Sequence, residues 1–242
     1  GELLKDSRYV FNYSATEPAQ AVSLTMPIRA ESYSSGGLLP IFEMNRPEGY
    51  LLSKIEEAFA KSGPLDDMGL LHLVGGRQIG RLSYTIPGEE PRHAAATISR
   101  REILSRRPTE RLFGELVATY FGSGISGVQP KVLVPDADNA STPGKRATLT
   151  YSDLIVKASG DEFPLLTQNE YLCMSAARRA GIDVPNFWLS DDGGLFVLER
   201  FDVADGRPLG FEDMTVLMNK SSREKYQGSY ELVAKAVQLY CA

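Results

Sequence analysis

The sequence predicts an α+β chain. A small N-terminal α/β subdomain leads into an antiparallel sheet carrying one helix, and the start of a helical region follows. Three observations predict it. The first 86 residues interleave short alternating segments with an amphipathic helical pattern. Residues 154–202 carry an apolar strand, a helical stretch and a hairpin signalled by Asp-Gly. Between these halves, Gly122-Ser-Gly-Ile-Ser-Gly-Val-Gln-Pro-Lys131 sets three glycines in G-x-G-x-x-G spacing directly before the β-branched run Val128 to Val134. The expected divisions are 1–95, 96–202 and 203–242.

A chain of 242 residues can bury a sizeable core, and 43% hydrophobic with 24% charged residues is the composition of an ordinary globular protein. A formal net charge of −5 gives no global attraction to nucleic acid. No apolar run approaches bilayer length and no signal peptide opens the chain, so a cytoplasmic location away from membranes is expected. Two cysteines, Cys173 and Cys241, read as reduced thiols. His72 and His93 stand too far apart in sequence to suggest a histidine-based centre, and no metal-ligand set is expected.

In chain order, Gly1 to Leu4 and Tyr9 to Tyr13 read as strands joined by a polar turn, and Ser23 to Ile28 as a third, edge strand limited by Pro27. A Ser/Gly cluster at Ser34 to Gly37 breaks the pattern. Pro47 to Lys61 is an amphipathic helix with Tyr50, Leu51, Ile55, Ala58 and Phe59 on one side. A short helix over Asp66 to Val74 and a strand over Gln78 to Ile86 follow, and Pro87 to Ala96 reads as a polar linker. A helical region from about Thr97 to Phe121 leads to the glycines. Ala147 to Tyr151 and Leu154 to Ala158 complete a small antiparallel sheet with the strand that follows the glycines.

The glycines free backbone N–H groups to converge on an anion. A dinucleotide-binding fold needs a strand before such glycines and a helix after them, the reverse of the order here, and no Gly-Lys-Ser/Thr follows for a Walker loop. A glycine loop followed by a strand suits a flap over a nucleotide, as in kinases; a plain surface turn is the alternative. Three later features bear on the choice. Lys157 ends an apolar strand, where it either leaves the sheet for solvent or supplies a fixed cation beside phosphates. Glu170, in the first turn of a helix over Thr167 to Ala180, either serves the helix dipole or positions Lys157. In that helix Leu172, Cys173 and Ala176 are expected to face the core, and Gly181 to cap it. The hairpin strand Leu195 to Asp202 turns abruptly polar at Glu199-Arg-Phe-Asp202. There it either simply leaves the core or forms a hinge whose backbone holds an adenine edge, with Asp202 reaching a ribose hydroxyl.

Taken together and in order, Gly124-Ile-Ser-Gly-Val-Gln-Pro-Lys131, Ile155-Val-Lys157, Asn169-Glu-Tyr171 with Ala180-Gly-Ile-Asp-Val-Pro185, and Leu198-Glu-Arg-Phe-Asp202 resemble the HipA family of bacterial serine/threonine kinase toxins. Pro47-Glu-Gly49, Leu73-Val-Gly-Gly76 and Ile79-Gly80 resemble that family's N-terminal domain. The resemblance implies a protein-kinase-like N-lobe, ATP and Mg2+ as cosubstrates, and phosphorylation of a protein such as an aminoacyl-tRNA synthetase. It also implies a small helix-turn-helix, HipB-like antitoxin as partner, with DNA reached only through it. Carried over by motif, Gly124, Ile125, Ser126 and Gly127 cover the phosphates, Lys157 contacts them, and Glu199, Phe201 and Asp202 hold the adenosine.

The family's Asp-x-His-x-x-Asn segment and second metal-binding aspartate have no counterpart here, so no catalytic residue is assigned, and the chain is expected to be an inactive part of a longer kinase. Some family members carry a regulatory serine where this chain has Gly124, which leaves Ser126 as the candidate for autophosphorylation. A non-catalytic docking module for an antitoxin or regulator is the alternative reading. A small-molecule kinase is a third, against which the N-terminal attachment argues.

Overall fold

The computed structural model describes residues 1–61, 63, 65–90, 94–120, 122, 129–139 and 153–241. Three short strands, β1 (Glu2–Lys5), β2 (Tyr9–Asn12) and β3 (Tyr33–Ser35), form an antiparallel sheet in the order β1-β2-β3. Its third strand is not the expected one. Ser23 to Ile28 forms only a tight turn bridged between Ser23 and Met26, and the pairing falls to the Ser/Gly cluster, where Tyr33 lies opposite Phe11. Tyr33 supplies the aromatic side chain that its serine neighbours lack, and its hydroxyl bonds the carbonyl of Pro27 at 2.6 Å. Behind the sheet, Phe11, Phe42, Ile41 and Leu38 make a small core with Leu71 and Val216.

The connection between the two sheets opens with α1 (Pro40–Glu43), α2 (Gly49–Phe59), α3 (Asp67–Val74) and α4 (Arg100–Ser105). Asp66 caps α3 by accepting from Gly69 N–H at 2.8 Å, and Ser99 with Glu102 closes a capping box on α4. Residues 78–86 are irregular and make no ladder strand; Tyr84 N–H bonds back to Gly75 C=O at 2.9 Å. The expected long helix from Thr97 is two helices, because Pro108 lacks the N–H a continuous helix needs there. The second, α5 (Thr109–Tyr120), buries Leu112, Phe113, Leu116, Val117 and Tyr120.

The second sheet is antiparallel with four strands: β4 (Lys131–Pro135), β5 (Asp153–Ala158), β6 (Phe187–Leu189) and β7 (Leu195–Glu199), in the order β4-β5-β7-β6. Both faces are covered, which explains why β4, β5 and β7 read as continuous apolar runs. One face, with Val132, Val134, Leu154, Val156 and Val197, packs on α2, α3, α4 and α5. The other, with Leu133, Ile155, Phe196 and Leu198, packs beneath α6 (Leu166–Arg179), Met174 of which joins that cluster. The expected strand over Ala147 to Tyr151 lies outside the described residues.

Helix α6 corrects two expectations. It starts at Leu166, so Glu170 sits beyond the first turn and its placement owes nothing to that turn's dipole. Leu172, 66% exposed, Cys173 and Ala176 face outward, because the helix meets the sheet through Thr167, Glu170 and Met174 instead. Gly181 caps it with φ +81°. After β7 come a two-stranded ribbon, β8 (Val203–Ala204) and β9 (Arg207–Pro208), then α7 (Met214–Leu217) and α8 (Tyr230–Tyr240). None of the described helices is long and apolar enough to cross a membrane.

Candidate functional site

The sheet brings two lysines side by side. In the β4–β5 register Lys131 lies directly opposite Lys157, on the same face as Leu133 and Ile155. Like charges opposite one another on antiparallel strands repel, so sheet stability alone disfavours this arrangement. Helix α6 supplies one compensating charge. Lys157 Nζ donates to Glu170 Oε2 at 2.5 Å, and both side chains are about four-fifths buried, at 20% and 19% exposure. Lysine and glutamate of a strand and a packed helix therefore hold each other, and the ammonium has a fixed position.

Lys131 makes no ion pair or hydrogen bond among the described residues. Burial, and then the charges of Lys157 and Lys225, lower its pKa from 10.5 to about 8, against the weaker opposing influence of Glu48 and Glu170. Sequence reading missed its role, because only the register across the long β4–β5 connection sets it beside Lys157. Glu48 and Lys225 were missed because tertiary packing of segments far apart in sequence brings them close to Lys131. Lys225 Nζ lies 3.2 and 3.4 Å from the two carboxylate oxygens of Glu48 and 3.8 Å from Asp213, joining the start of α2 to the segment before α8.

The segment Glu199 to Asp202 begins at the end of β7. Glu199 accepts from Asn186 Nδ2 at 2.9 Å and lies 3.6 Å from the Arg100 guanidinium. Phe201 projects to solvent and meets Phe211 edge-on with centroids 5.7 Å apart. Asp202 is placed differently from the expected ribose-facing carboxylate. It is 3% exposed, receives Gly80 N–H on Oδ2 at 2.5 Å and Arg200 Nε on Oδ1 at 2.9 Å, and pairs with Arg200 Nη2 as well. Arg200 also reaches Asp153 at 3.2 Å and the Gln78 carbonyl at 2.8 Å. The expected residues Gly124, Ile125, Ser126 and Gly127, and His93, lie outside the described residues.

Lys157 stands four residues from Asp153 along an extended strand. That spacing is about 13 Å at the usual rise. A cavity of about 680 Å3 lies on the opposite face, among Tyr50, Thr109, Phe113, Pro130, Ala158 and Phe163, and includes neither lysine of the pair. Among the described residues no group of three or more His, Cys, Asp or Glu is gathered as a metal would need.

Comparison with known proteins finds two family profiles in the chain. The profile of the HipA N-terminal domain matches residues 1–85, and that of the HipA-like C-terminal domain matches residues 123–242. A Haemophilus influenzae protein named "Putative kinase" is 29% identical over 160 residues, covering 57% of this chain. The chain spans about two fifths of that relative's length, 41%.

Proposed function

The chain belongs to the HipA family, and on that premise we propose that its second sheet, with α6 and the hinge, is the ATP-binding lobe of a serine/threonine protein kinase. The observation that carries the reading is the lysine pair. Two ammonium groups held on facing strands, one anchored by Glu170 and the other without an ion-pair partner among the described residues, cost free energy until a polyanion lies between them. Phosphates of a nucleotide meet that demand, and the sheet supplies the stiffness that a loop-borne lysine would lack. In this reading Lys157 and Lys131 hold phosphate oxygens, while Glu170 fixes Lys157. The backbone of Glu199 to Phe201 receives the adenine edge.

Gly124 to Gly127 would close over the phosphates with converging N–H groups. Ser126 in that loop is the proposed autophosphorylation site, since about two added negative charges there would compete with ATP. Magnesium would enter with the nucleotide, neutralising its phosphates. By the same family reading the phosphate acceptor is a protein such as an aminoacyl-tRNA synthetase, and the partner is a small helix-turn-helix antitoxin through which DNA is reached.

Thermal unfolding with and without ATP tests the reading. A ligand that binds only the folded chain stabilises it by about 2.7 kcal/mol at a hundred times its Kd, so the transition should rise steadily with ATP concentration. An unchanged transition up to millimolar ATP would contradict the assignment.

A further inference from the structure

Four ionised side chains lie together where the N-terminal subdomain meets the hinge: Arg77, Asp153, Arg200 and Asp202. They come from three pieces of the chain. Arg77 comes from the irregular stretch after α3, Asp153 opens the lysine strand β5, and Arg200 and Asp202 flank Phe201. Arg77 pairs with Asp153 Oδ1, and Arg200 bridges Asp153 Oδ2 to Asp202. Two backbone contacts reinforce the set from the N-terminal side, the Gln78 carbonyl on Arg200 and the Gly80 N–H on Asp202. Gly80 has φ +90°, and an added Cβ would stand 3.0 Å from Phe211 Cβ, so the chain reaches Asp202 there only because the residue is glycine. The charges sum to zero, and all four side chains are nearly buried.

We propose that Arg77, Gln78 and Gly80 of the N-terminal subdomain are positioning residues of the nucleotide site, setting through Arg200 and Asp202 where the hinge sits relative to the lysine strand. This deepens the ATP-binding reading and rests on it. Both hinge charges depend on the 77–80 stretch for part of their bonding. The hinge at residues 199–202 therefore cannot shift without breaking contacts to the N-terminal subdomain. Asp202 serves this network with both oxygens, so the hinge contributes through backbone position and not through a carboxylate on the ribose. The consequence is a division of labour. The adenosine half of the ligand depends on the Arg77–Asp153–Arg200–Asp202 set, and the phosphate half on Lys157 and Lys131.

Binding of two probes to the full chain separates these halves: ATP with magnesium, and inorganic tripolyphosphate, at pH 7.5. Arg77→Met should weaken ATP by about tenfold or more, a loss typical of slight misplacement in a site, and leave tripolyphosphate within about twofold. Arg77→Lys, which restores a cation for Asp153, should recover most of the ATP affinity. Asp202→Asn should weaken ATP without changing the ratio of ATP to 2′-deoxy-ATP affinity. Unchanged ATP binding by folded Arg77→Met would overturn the inference. So would an equal loss of both probes, which marks a merely structural role, or a changed ratio in Asp202→Asn, which marks a ribose contact. Should Arg77→Met fail to fold, Asp202→Asn carries the same comparison of ATP with tripolyphosphate. Failure of the unaltered chain to bind ATP would instead overturn the nucleotide reading itself.

Discussion

Removing the charge of Lys131 should make the chain more stable and less able to hold ATP, and the effect should depend on pH in a defined direction. Burial and neighbouring lysines lower its pKa from 10.5 to about 8. A lysine that holds its proton more weakly when folded than when unfolded destabilises the native state wherever it is charged. Stability should therefore be flat below about pH 8 and rise between about 8 and 10.5, where the unfolded chain binds the extra proton. The lowering corresponds to roughly 3 kcal/mol at pH 7, so Lys131→Met should raise unfolding stability by up to roughly that amount and flatten this part of the profile. Binding runs the other way. Phosphate beside Lys131 favours its charged form, so ATP binding should take up protons above pH 8 and weaken toward tenfold per pH unit up to about pH 10. Calorimetric titrations of ATP at pH 7 to 10, in buffers of different ionisation enthalpy, read both quantities, and urea midpoints read stability. A Lys131→Met chain that is less stable at pH 7, or that keeps the wild-type pH dependence of ATP binding, would refute the reasoning.

Other substitutions follow from the same contacts. Glu170→Gln should weaken ATP by about tenfold, because Lys157 loses its anchor, and should lower stability by about 1–3 kcal/mol, because the mostly buried Lys157 loses its compensating charge; calorimetry and thermal unfolding read the two effects. Arg200→Met leaves Asp153 and Asp202 buried without their shared cation and should cost about 3–5 kcal/mol in a urea titration. In the core, Ile103→Ala, at a fully buried position, should cost about 2–5 kcal/mol in the same assay, whereas Leu172→Ala should stay within about 0.5 kcal/mol because α6 turns that residue outward.

Much of the second sheet was legible because its strands obey local rules. Leu154 to Ala158 and Leu195 to Glu199 are β-branched or apolar runs bounded by turn residues, and the Asp-Gly turn placed the hairpin between Phe187 to Leu189 and Leu195 to Glu199. The N-terminal sheet was less so. Three-residue strands such as Tyr33–Ser35 carry too little pattern, and their pairing is decided by what Phe11 and Phe42 bury. Helix α6 was misread on its buried face because an apolar stripe at Leu172, Cys173 and Ala176 has the spacing of a core face, although polar Thr167 and Glu170 make the inward contacts. For the site, Lys157 and Glu170 were nameable from strand-then-helix order. Lys131 needed the cross-strand register, and Arg77 with Gly80 needed contacts across 122 positions of sequence, such as Gly80 to Asp202.

Titration calorimetry of ATP with magnesium, on the unaltered chain and on Lys157→Ala, tests the central claim most directly. The account predicts saturable binding at one site per chain and a loss of at least about tenfold in the variant, as expected when a charge-assisted contact to phosphate is removed. A folded chain that binds no ATP, or a Lys157→Ala chain that binds it equally well, would contradict the assignment of the sheet as an ATP-binding lobe.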